Sequence, residues 1–295
     1  MANPTLIAEQ IFPSSSVKHQ KRTRRWQDWA TLIILLLFLM VMLLPLVIIT
    51  MNAFKTEDEY YATGALSLPQ SLNMNALQKA WESTDYATKL TNSAIISLST
   101  AALAVGLSLF NAFALGIGRI RGRTFVLLFF LLATTVPAEA LAYPIYYIFK
   151  QVGLYNTRTG VILLSAALNS AFGTYLLSSV FSTFPKELIE AAVIDGANKL
   201  QLLRRILIPL NIPTLSVLFV FFFIGTWNDF FLPLILLISN AKQTVPVALS
   251  MASAEHSVVI TSQSAAALLG IVPCIIFFFL FQRSLTRGIT AGSVK

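Results

Sequence analysis

Polar side chains that interrupt long apolar segments are the first candidates for chemistry in this chain. Asn228 and Asp229 lie side by side and could bracket the hydroxyl groups of a solute, since an amide donates and accepts hydrogen bonds while a carboxylate only accepts them. Glu139 lies between Pro137 and Pro144, which would open their helix and free a backbone carbonyl. Because polar groups at membrane depth are costly unless they face a cavity or a partner, these residues indicate a solute pathway.

Each of these residues also has an ordinary structural interpretation, and both stay open. Glu139 can be a solvated charge near the end of its span. Trp227 can stack on a solute or simply pack against a neighbouring helix. Small polar and hydroxylated residues commonly hold membrane helices together, which makes packing the ordinary role of Asn169 and Tyr143. The candidate pathway residues are Glu139, Tyr143, Asn169, Trp227, Asn228 and Asp229.

Other kinds of site chemistry are not predicted. Cys274 is the only cysteine and lies in an apolar run, which leaves no disulfide and no cysteine-based metal site. His19 and His256 fall in separate segments, so they cannot form a metal-binding pair. The sequence has no Gly-x-x-x-x-Gly-Lys phosphate loop with which to cradle ATP. We therefore expect no catalytic residue, no metal and no cofactor bound by this chain.

The most patterned polar stretch is segment 183–210, a charged island between two long apolar segments. Pro185 suits the first turn of a helix, and Glu187 and Glu190 would lie near the positive end of its dipole. Helical spacing places three apolar side chains on one face, and paired alanines allow another surface to approach closely. These three side chains are Leu188, Ala191 and Ala192.

A turn and a second helix are predicted after the first. Asp195-Gly196 reads as the turn, because glycine adopts positive φ without a Cβ clash. Beyond the turn, Leu200, Leu203 and Leu207 form an apolar stripe on one face of a helix, and the opposite face is polar and exposed to solvent. The polar face consists of Gln201, Arg204 and Arg205. We expect a partner to dock on this helix-turn-helix.

The island resembles the EAA loop of bacterial ABC importer permeases. That loop has Glu-Ala-Ala, a glycine four residues after the second alanine, and Ile-x-Leu-Pro further on. Here the matching residues are Glu190-Ala191-Ala192, Gly196, Ile206 and Pro209, with Ile208 in place of the leucine. The Phe184-to-Ala197 string, Trp227-Asn228 and the ending from Gln282 to Lys295 resemble the maltose-type, carbohydrate-uptake branch. The resemblance covers roughly the last two thirds of the chain.

The resemblance implies an all-α, polytopic membrane protein with six transmembrane helices and the type I ABC importer permease architecture. It implies that the island is a coupling helix that fits a cleft on an ATPase subunit, where ATP and Mg bind. It also places Trp227 and Asn228 near a mid-membrane bend, but it supplies no role for Glu139. The residues it assigns to coupling are Glu187, Glu190, Ala191, Ala192, Asp195, Gly196, Ala197, Arg204 and Arg205.

The partners that the resemblance implies are a homologous second permease subunit, two ATPase subunits, an extracytoplasmic solute-binding protein and a sugar substrate. ATP-driven closure of the ATPase pair would move the island as a lever. The C-terminal stretch from Thr286 to Lys295 resembles a tail that can reach the ATPase interface. Neither the solute nor the choice between a homodimer and a heterodimer follows from the sequence.

Composition indicates an integral membrane protein independently of the resemblance. Hydrophobic residues make up 56% and charged residues 12% of the 295, against about 25% charged in a soluble domain. The net charge of +8 comes from basic residues beside apolar spans, so no nucleic-acid partner is expected. With about 20 residues per span, six helices are predicted at about 29–50, 90–117, 124–149, 160–182, 211–238 and 264–282.

Lysine and arginine positions predict the orientation in a bacterial inner membrane. Of the 21 lysines and arginines, most lie on the side of the termini and the island, which we assign to the cytoplasm. The opposite side has Lys55, Lys79, Lys89, Lys150, Arg158 and Lys242. The expected organisation is a basic cytoplasmic tail 1–28, a first helix 29–51, an extracytoplasmic loop 52–89 with a surface helix at 73–82, a five-helix core 90–282 and a cytoplasmic tail 283–295.

Two other functions are compatible with parts of the sequence. An ion-coupled secondary carrier could use Glu139 and Asp229, but such carriers usually have two matching halves, and the Glu190 island is not repeated. A membrane scaffold that only recruits a cytoplasmic partner would need the island but would carry no solute.

Overall fold

The computed structural model describes residues 26–118, 120–255 and 259–291, and it describes the side chains of these except 27, 252–255 and 283–291. Within those ranges the regular secondary structure is helical, with no strand, which confirms the all-α class. Most of the predicted N-terminal tail and residues 292–295 of the predicted C-terminal tail, together with Arg119 and His256, lie outside the described residues.

The chain divides into two compact units, residues 1–47 and 48–295. The first unit contains most of helix α1 (Trp26–Ala53), the predicted first span. Its apolar side chains are widely exposed, with Ile34, Val41 and Met40 at 65%, 67% and 70%. A surface of this kind is stable only in lipid or against another protein.

The second unit begins with two short helices, α2 (Glu57–Thr63) and α3 (Asn75–Ser83). Helix α3 lies where a short helix was predicted at 73–82, and its place on the membrane surface stays a prediction. Helix α2 begins because the Thr56 hydroxyl accepts a hydrogen bond from the Glu59 N–H at 3.2 Å. The acidic run that starts α2 also suits the positive end of the helix dipole.

Helices α4 (Tyr86–Gly116) and α7 (Arg158–Ser182) form the centre of the unit. They run in the same direction, because contacts join their first turns at Asn92 and Arg158 and their last turns at Gly116 and Phe181. Small residues let the two backbones approach closely. At Gly173 an added Cβ would lie 2.2 Å from the Ser108 hydroxyl oxygen, so the contact requires glycine.

The predicted span 124–149 is broken rather than continuous. Helix α5 (Arg123–Ala133) is followed by a 3₁₀ turn (Ala138–Leu141) and α6 (Ala142–Gln151), and the two parts meet at 90°. Pro137 has no N–H with which to continue the helix. The hydroxyls of Thr134 and Thr135 donate to backbone carbonyls at the end of α5, at 2.6 and 2.8 Å, and help satisfy them.

The predicted span 211–238 also ends early. Two helical segments meet at its start, Lys199–Leu210 and Ile212–Asn228, and the angle between them is 79°. The second half is helix α11 (Ile212–Asn228), and a break at Asp229 separates it from α12 (Phe231–Leu236). At the bend, the Leu207 carbonyl accepts two hydrogen bonds from Asn211, one from its side-chain amide at 2.8 Å and one from its backbone N–H at 3.1 Å.

The chain ends with a 3₁₀ turn (Asn240–Lys242), α13 (Val245–Glu255) and α14 (Ile260–Ala291). Four described helices are long and apolar enough to cross a membrane, and two bent pairs raise the number to six. That count agrees with the six predicted spans. The largest apolar core lies between α4, α7 and α11 and extends to the segment between Lys186 and Leu210.

Candidate functional site

The charged island folds as predicted into a helix, a turn and a second helix. Helix α8 (Lys186–Ile194) starts directly after Pro185, and Glu187 and Glu190 lie exposed on it. Helix α9 (Lys199–Leu202) continues through a π turn (Leu203–Leu207) into the short α10 (Ile208–Leu210).

Gly196 makes the turn in the way its sequence context predicts. Its φ is +78°, a conformation that favours glycine. The turn closes α8, since the N–H groups of Asp195 and Ala197 donate to the carbonyls of Ala191 and Ala192 at 2.9 Å each. These bonds satisfy carbonyls that would otherwise be left unpaired at the end of the helix.

A capping box starts α9, and the sequence interpretation missed it. The Asn198 side chain accepts from the Gln201 N–H at 2.8 Å, and the Gln201 side chain accepts from the Asn198 N–H at 2.9 Å. Asn at the cap with Gln three residues later is the local signal that could have revealed it. The box fixes the direction in which the second helix leaves the turn.

The buried side of the island joins the main core. Ala192, Leu203 and Leu207 are at most 7% exposed and belong to the same apolar cluster as Phe181 and Trp227. The island is therefore not a free loop. A displacement of its helices would be felt directly by α4, α7 and α11.

Two details of the predicted faces are wrong. Leu200 is 65% exposed, and Leu202, at 5%, takes its place in the core. The reason is the π turn, whose i→i+5 spacing brings Leu202 and Leu207 to one side. In α8, Ala192 is buried and Ile189 packs against the core, whereas Ala191 and Leu188 are exposed, so the three predicted side chains do not share one face.

The island also leaves four apolar side chains exposed among charged ones, and we call these four its exposed apolar edge. Leu188 is 46%, Val193 60%, Ile194 85% and Leu200 65% exposed. The charged and polar positions around this edge are exposed as well: Glu187, Glu190, Asp195, Arg204 and Arg205. Exposed apolar side chains among charged ones are typical of a protein-binding surface.

Among the candidate pathway residues, Trp227 is packed inside the chain. It is 3% exposed, and its ring lies 5.7 Å from that of Phe223 and 5.4 Å from that of Phe277. Stacking of Trp227 on a solute stays a prediction, and it would require these aromatic neighbours to move.

Asp229 has a local role that the sequence interpretation missed. Its carboxylate accepts hydrogen bonds from the N–H groups of Phe231 and Leu232, at 3.1 and 3.3 Å, and so caps helix α12. Helix α12 packs against the 3₁₀ turn that carries Glu139, whose side chain is exposed. The structure thus brings these two carboxylates into one region.

The remaining pathway candidates lie at the surface or at helix contacts. Asn169 on α7 donates to the Thr226 hydroxyl on α11 at 3.4 Å. Asn228 is exposed, and its amide donates to the Ile224 carbonyl at 2.9 Å. Tyr143 is 75% exposed and lies apart from this contact on α6. Within the described residues, no cluster of three or more His, Cys, Asp or Glu side chains could hold a metal ion.

Several known proteins are similar to this chain. A family model described as "Binding-protein-dependent transport system inner membrane component" matches residues 104–291. The chain is 30% identical to the inner membrane ABC transporter permease protein YcjP of Escherichia coli over 260 residues, 86% of this chain and 92% of that protein. It is 31% identical to the trehalose transport system permease protein SugB of Mycobacterium tuberculosis, over 77% of this chain and 84% of that protein.

A solved structure has the same fold. It is a bacterial ABC transporter involved in the import of the acidic polysaccharide alginate. The TM-score is 0.75 at 22% sequence identity, and the match covers 89% of this chain and 97% of that chain.

Proposed function

Because the chain belongs to the family of inner membrane components of binding-protein-dependent transport systems, we propose that it is the permease subunit of an ATP-driven importer for a sugar or oligosaccharide. The observation that carries this proposal is the exposed apolar edge of α8 and α9, which is anchored in the core by its opposite side.

The edge is suited to an ATPase subunit. Its most exposed residue, Ile194, is 85% exposed on a segment too charged to enter lipid, so a protein surface must cover it in the assembled system. This chain has no phosphate loop of its own. ATP and Mg therefore bind to two separate ATPase subunits, which hydrolyse the nucleotide.

The remaining partners complete a symmetric importer. A homologous second permease subunit supplies the other half of the translocation pathway, and an extracytoplasmic binding protein delivers the solute. The island and both termini face the cytoplasm, where ATP is available, as the distribution of lysine and arginine indicates.

A sugar substrate is supported by the relatives and by the chemistry of the candidate pathway. One relative is a trehalose permease, and the structural neighbour belongs to an alginate importer. Asn228 and Asn169 offer uncharged donors and acceptors that suit hydroxyl groups. Glu139 and Asp229 are the charged members of that pathway, and Tyr143 and Trp227 its aromatic members.

Force transmission follows from the way the island is packed. When the ATPase pair closes, it moves α8 and α9 as one body, since the turn at Gly196 and the capping box at Asn198 fix their relative geometry. The buried side chains of the island push on α4, α7 and α11. The bend at Asn211 and the break at Asp229 let α11 rotate between two arrangements.

A charge introduced into the edge tests the proposal. Val193→Asp buries a carboxylate where an ATPase subunit docks, so the amount of ATPase subunit that co-purifies with the permease should fall at least about tenfold. The matched control is Val152→Asp, since Val152 is 59% exposed and Val193 is 60% exposed. It should change co-purification by less than about twofold. Undiminished ATPase binding by Val193→Asp would contradict the proposal.

A further inference from the structure

Residues 55–85 form a well-fixed surface, which we call the 55–85 platform. Lys55 is only 1% exposed, and its ammonium group donates to the Gly64 carbonyl at 2.8 Å and to the Ser67 hydroxyl at 2.9 Å. The Gln70 N–H donates to the Glu59 carboxylate. These bonds tie the loop that follows α2 back onto that helix.

The platform is also anchored to α14. Ala76 and Ala80 pack with Ala265 in a small apolar cluster. The Tyr86 hydroxyl donates to the Leu269 carbonyl at 2.6 Å. The platform is therefore a preformed surface, and a partner that binds it loses little affinity to ordering a loop.

A cavity opens between the platform and the start of α14. Its volume is about 480 Å³ and thus within the usual range of ligand pockets. Two carboxylates line it, from Glu57 and Glu82, with one ammonium group from Lys79 and the polar side chains of Ser262 and Gln263. The charge balance favours a cationic group, and paired carboxylates suit a guanidinium or an ammonium.

The platform also exposes apolar side chains. Tyr61 is 71%, Leu66 74%, Leu68 76%, Leu72 76% and Met74 60% exposed. The segment that carries them begins with Glu57-Asp58-Glu59, a run that is repelled by anionic lipid headgroups. A protein with a basic surface is thus a better cover for the platform than a membrane is.

The platform and the island lie at opposite ends of the second unit. The platform leads into the first residue of α4, whereas the island follows Phe181, which packs at the last residue of α4. A helix of 31 residues spans about 46 Å at 1.5 Å per residue. A partner on the platform therefore cannot be the subunit that covers the island.

We propose that the 55–85 platform is the docking surface for the extracytoplasmic binding protein, which inserts a lysine or arginine side chain into the cavity between Glu57 and Glu82. This inference rests on the proposed function. The exposed leucines elsewhere on the platform add apolar contact with the same partner.

Charge reversal at the cavity tests the docking surface. The probe is the binding protein that stimulates ATP hydrolysis by the complex, labelled with a fluorophore and titrated onto the complete transporter in nanodiscs. Glu57→Lys should raise the Kd about tenfold and flatten its dependence on salt. The control is Asp58→Lys on the same helix, because Asp58 carries the same charge and is exposed but does not line the cavity. Its Kd should rise less than about threefold.

A second variant separates docking from folding. Leu72→Asp leaves the hydrogen bonds of the platform intact and should raise the Kd more than fivefold, on the order of a lost apolar contact. Equal Kd values for wild type, Glu57→Lys and Leu72→Asp would overturn the inference, and so would burial of a spin label at position 72 in lipid. Co-purification with the ATPase subunit is scored in the same samples. Its loss in the wild type would reject the proposed function, whereas its retention with unchanged Kd values rejects the platform alone.

Discussion

The two ends of the α4–α7 helix pair differ in whether their side chains are covered by the rest of the chain. At the end next to Gly116, the island leaves an apolar edge uncovered, with Ile194 85% exposed. At the other end, the buried side chains of Lys89 and Asn92 are hydrogen-bonded within the chain. The difference agrees with the proposed docking of another subunit at the first end, whereas this part of the second end is completed by the chain itself.

At the end around Lys89 and Asn92, cationic and amide groups donate hydrogen bonds to uncharged oxygen atoms. The Lys89 ammonium donates to the Asn240 side-chain oxygen, and the Asn92 amide donates to the carbonyls of Ala241 and Gln243 at 2.9 and 3.0 Å. Arg158 donates to the Asn92 oxygen at 3.2 Å. These bonds fix the turn after α12 to the first turns of α4 and α7.

Breaking the helix pair that separates the two ends should have the largest effect. Gly173→Ala places a Cβ 2.2 Å from the Ser108 hydroxyl oxygen and 2.9 Å from the Phe222 ring, so α4, α7 and α11 must move apart. We expect a loss of about 3 kcal/mol, seen as a lower Tm of the purified protein. Gly106→Ala on α4 is the control, because nothing lies within 4 Å of its added Cβ. A Tm for Gly173→Ala that equals the control would contradict this packing.

Removing the hydrogen bonds around Asn92 should have the second largest effect on stability. Asn92→Ala removes three hydrogen bonds from a residue that is 2% exposed. Since the partner groups are left partly unpaired, the protein should lose about 2 kcal/mol. Hydrogen exchange at residues 240–245 should accelerate while exchange in the island stays constant. The control is the neighbouring exposed Thr91, whose change to alanine should alter neither region. Faster exchange in the island as well would show that the two ends are not independent.

Two matched glycines sharpen the contrast between the ends. Gly196 in the island and Gly153 after α6 have φ of +78° and +72°, with nothing within 4 Å of an added Cβ. Alanine at either position should cost about 1 kcal/mol of backbone strain. The two variants should have the same Tm, but only Gly196→Ala should lower ATP hydrolysis by the assembled complex. Equal ATPase rates would mean that the geometry of the turn is not used for coupling.

The smallest effect is expected from the capping box. Asn198→Ala removes the cap of α9 and should cost about 0.5 to 1 kcal/mol, since the core still holds the helix through Leu202. Hydrogen exchange at residues 199–203 should accelerate without a measurable change in Tm. Lys199→Ala serves as the control. Unchanged exchange in Asn198→Ala would show that packing alone orients the second helix.

The features predicted correctly from the sequence depend on local chemistry. Pro185, Gly196 and the charges around them indicate a helix, a turn and a helix within a short window, and the structure has all three. The six apolar spans follow from composition alone, although two of them are bent pairs. A resemblance in this same local segment was enough to indicate the family.

The features that were missed depend on residues far apart in the chain. Lys89 and Asn240 are 151 positions apart, and no pattern near either one indicates their contact. The burial of Trp227 likewise depends on Phe277, which lies on α14. Leu202 is buried where Leu200 was predicted to be, because the predicted apolar stripe assumed regular α-helical spacing and the segment contains a π turn.

The most direct test of the account is cross-linking from single cysteines. In a Cys274→Ala background, which removes the only native cysteine, Ile194→Cys and Leu66→Cys place thiols at positions that are 85% and 74% exposed. We predict that position 194 cross-links to an ATPase subunit and is labelled only from the cytoplasm, and that position 66 is labelled only from outside. Labelling of position 194 from outside, with no ATPase cross-link there, would contradict the account.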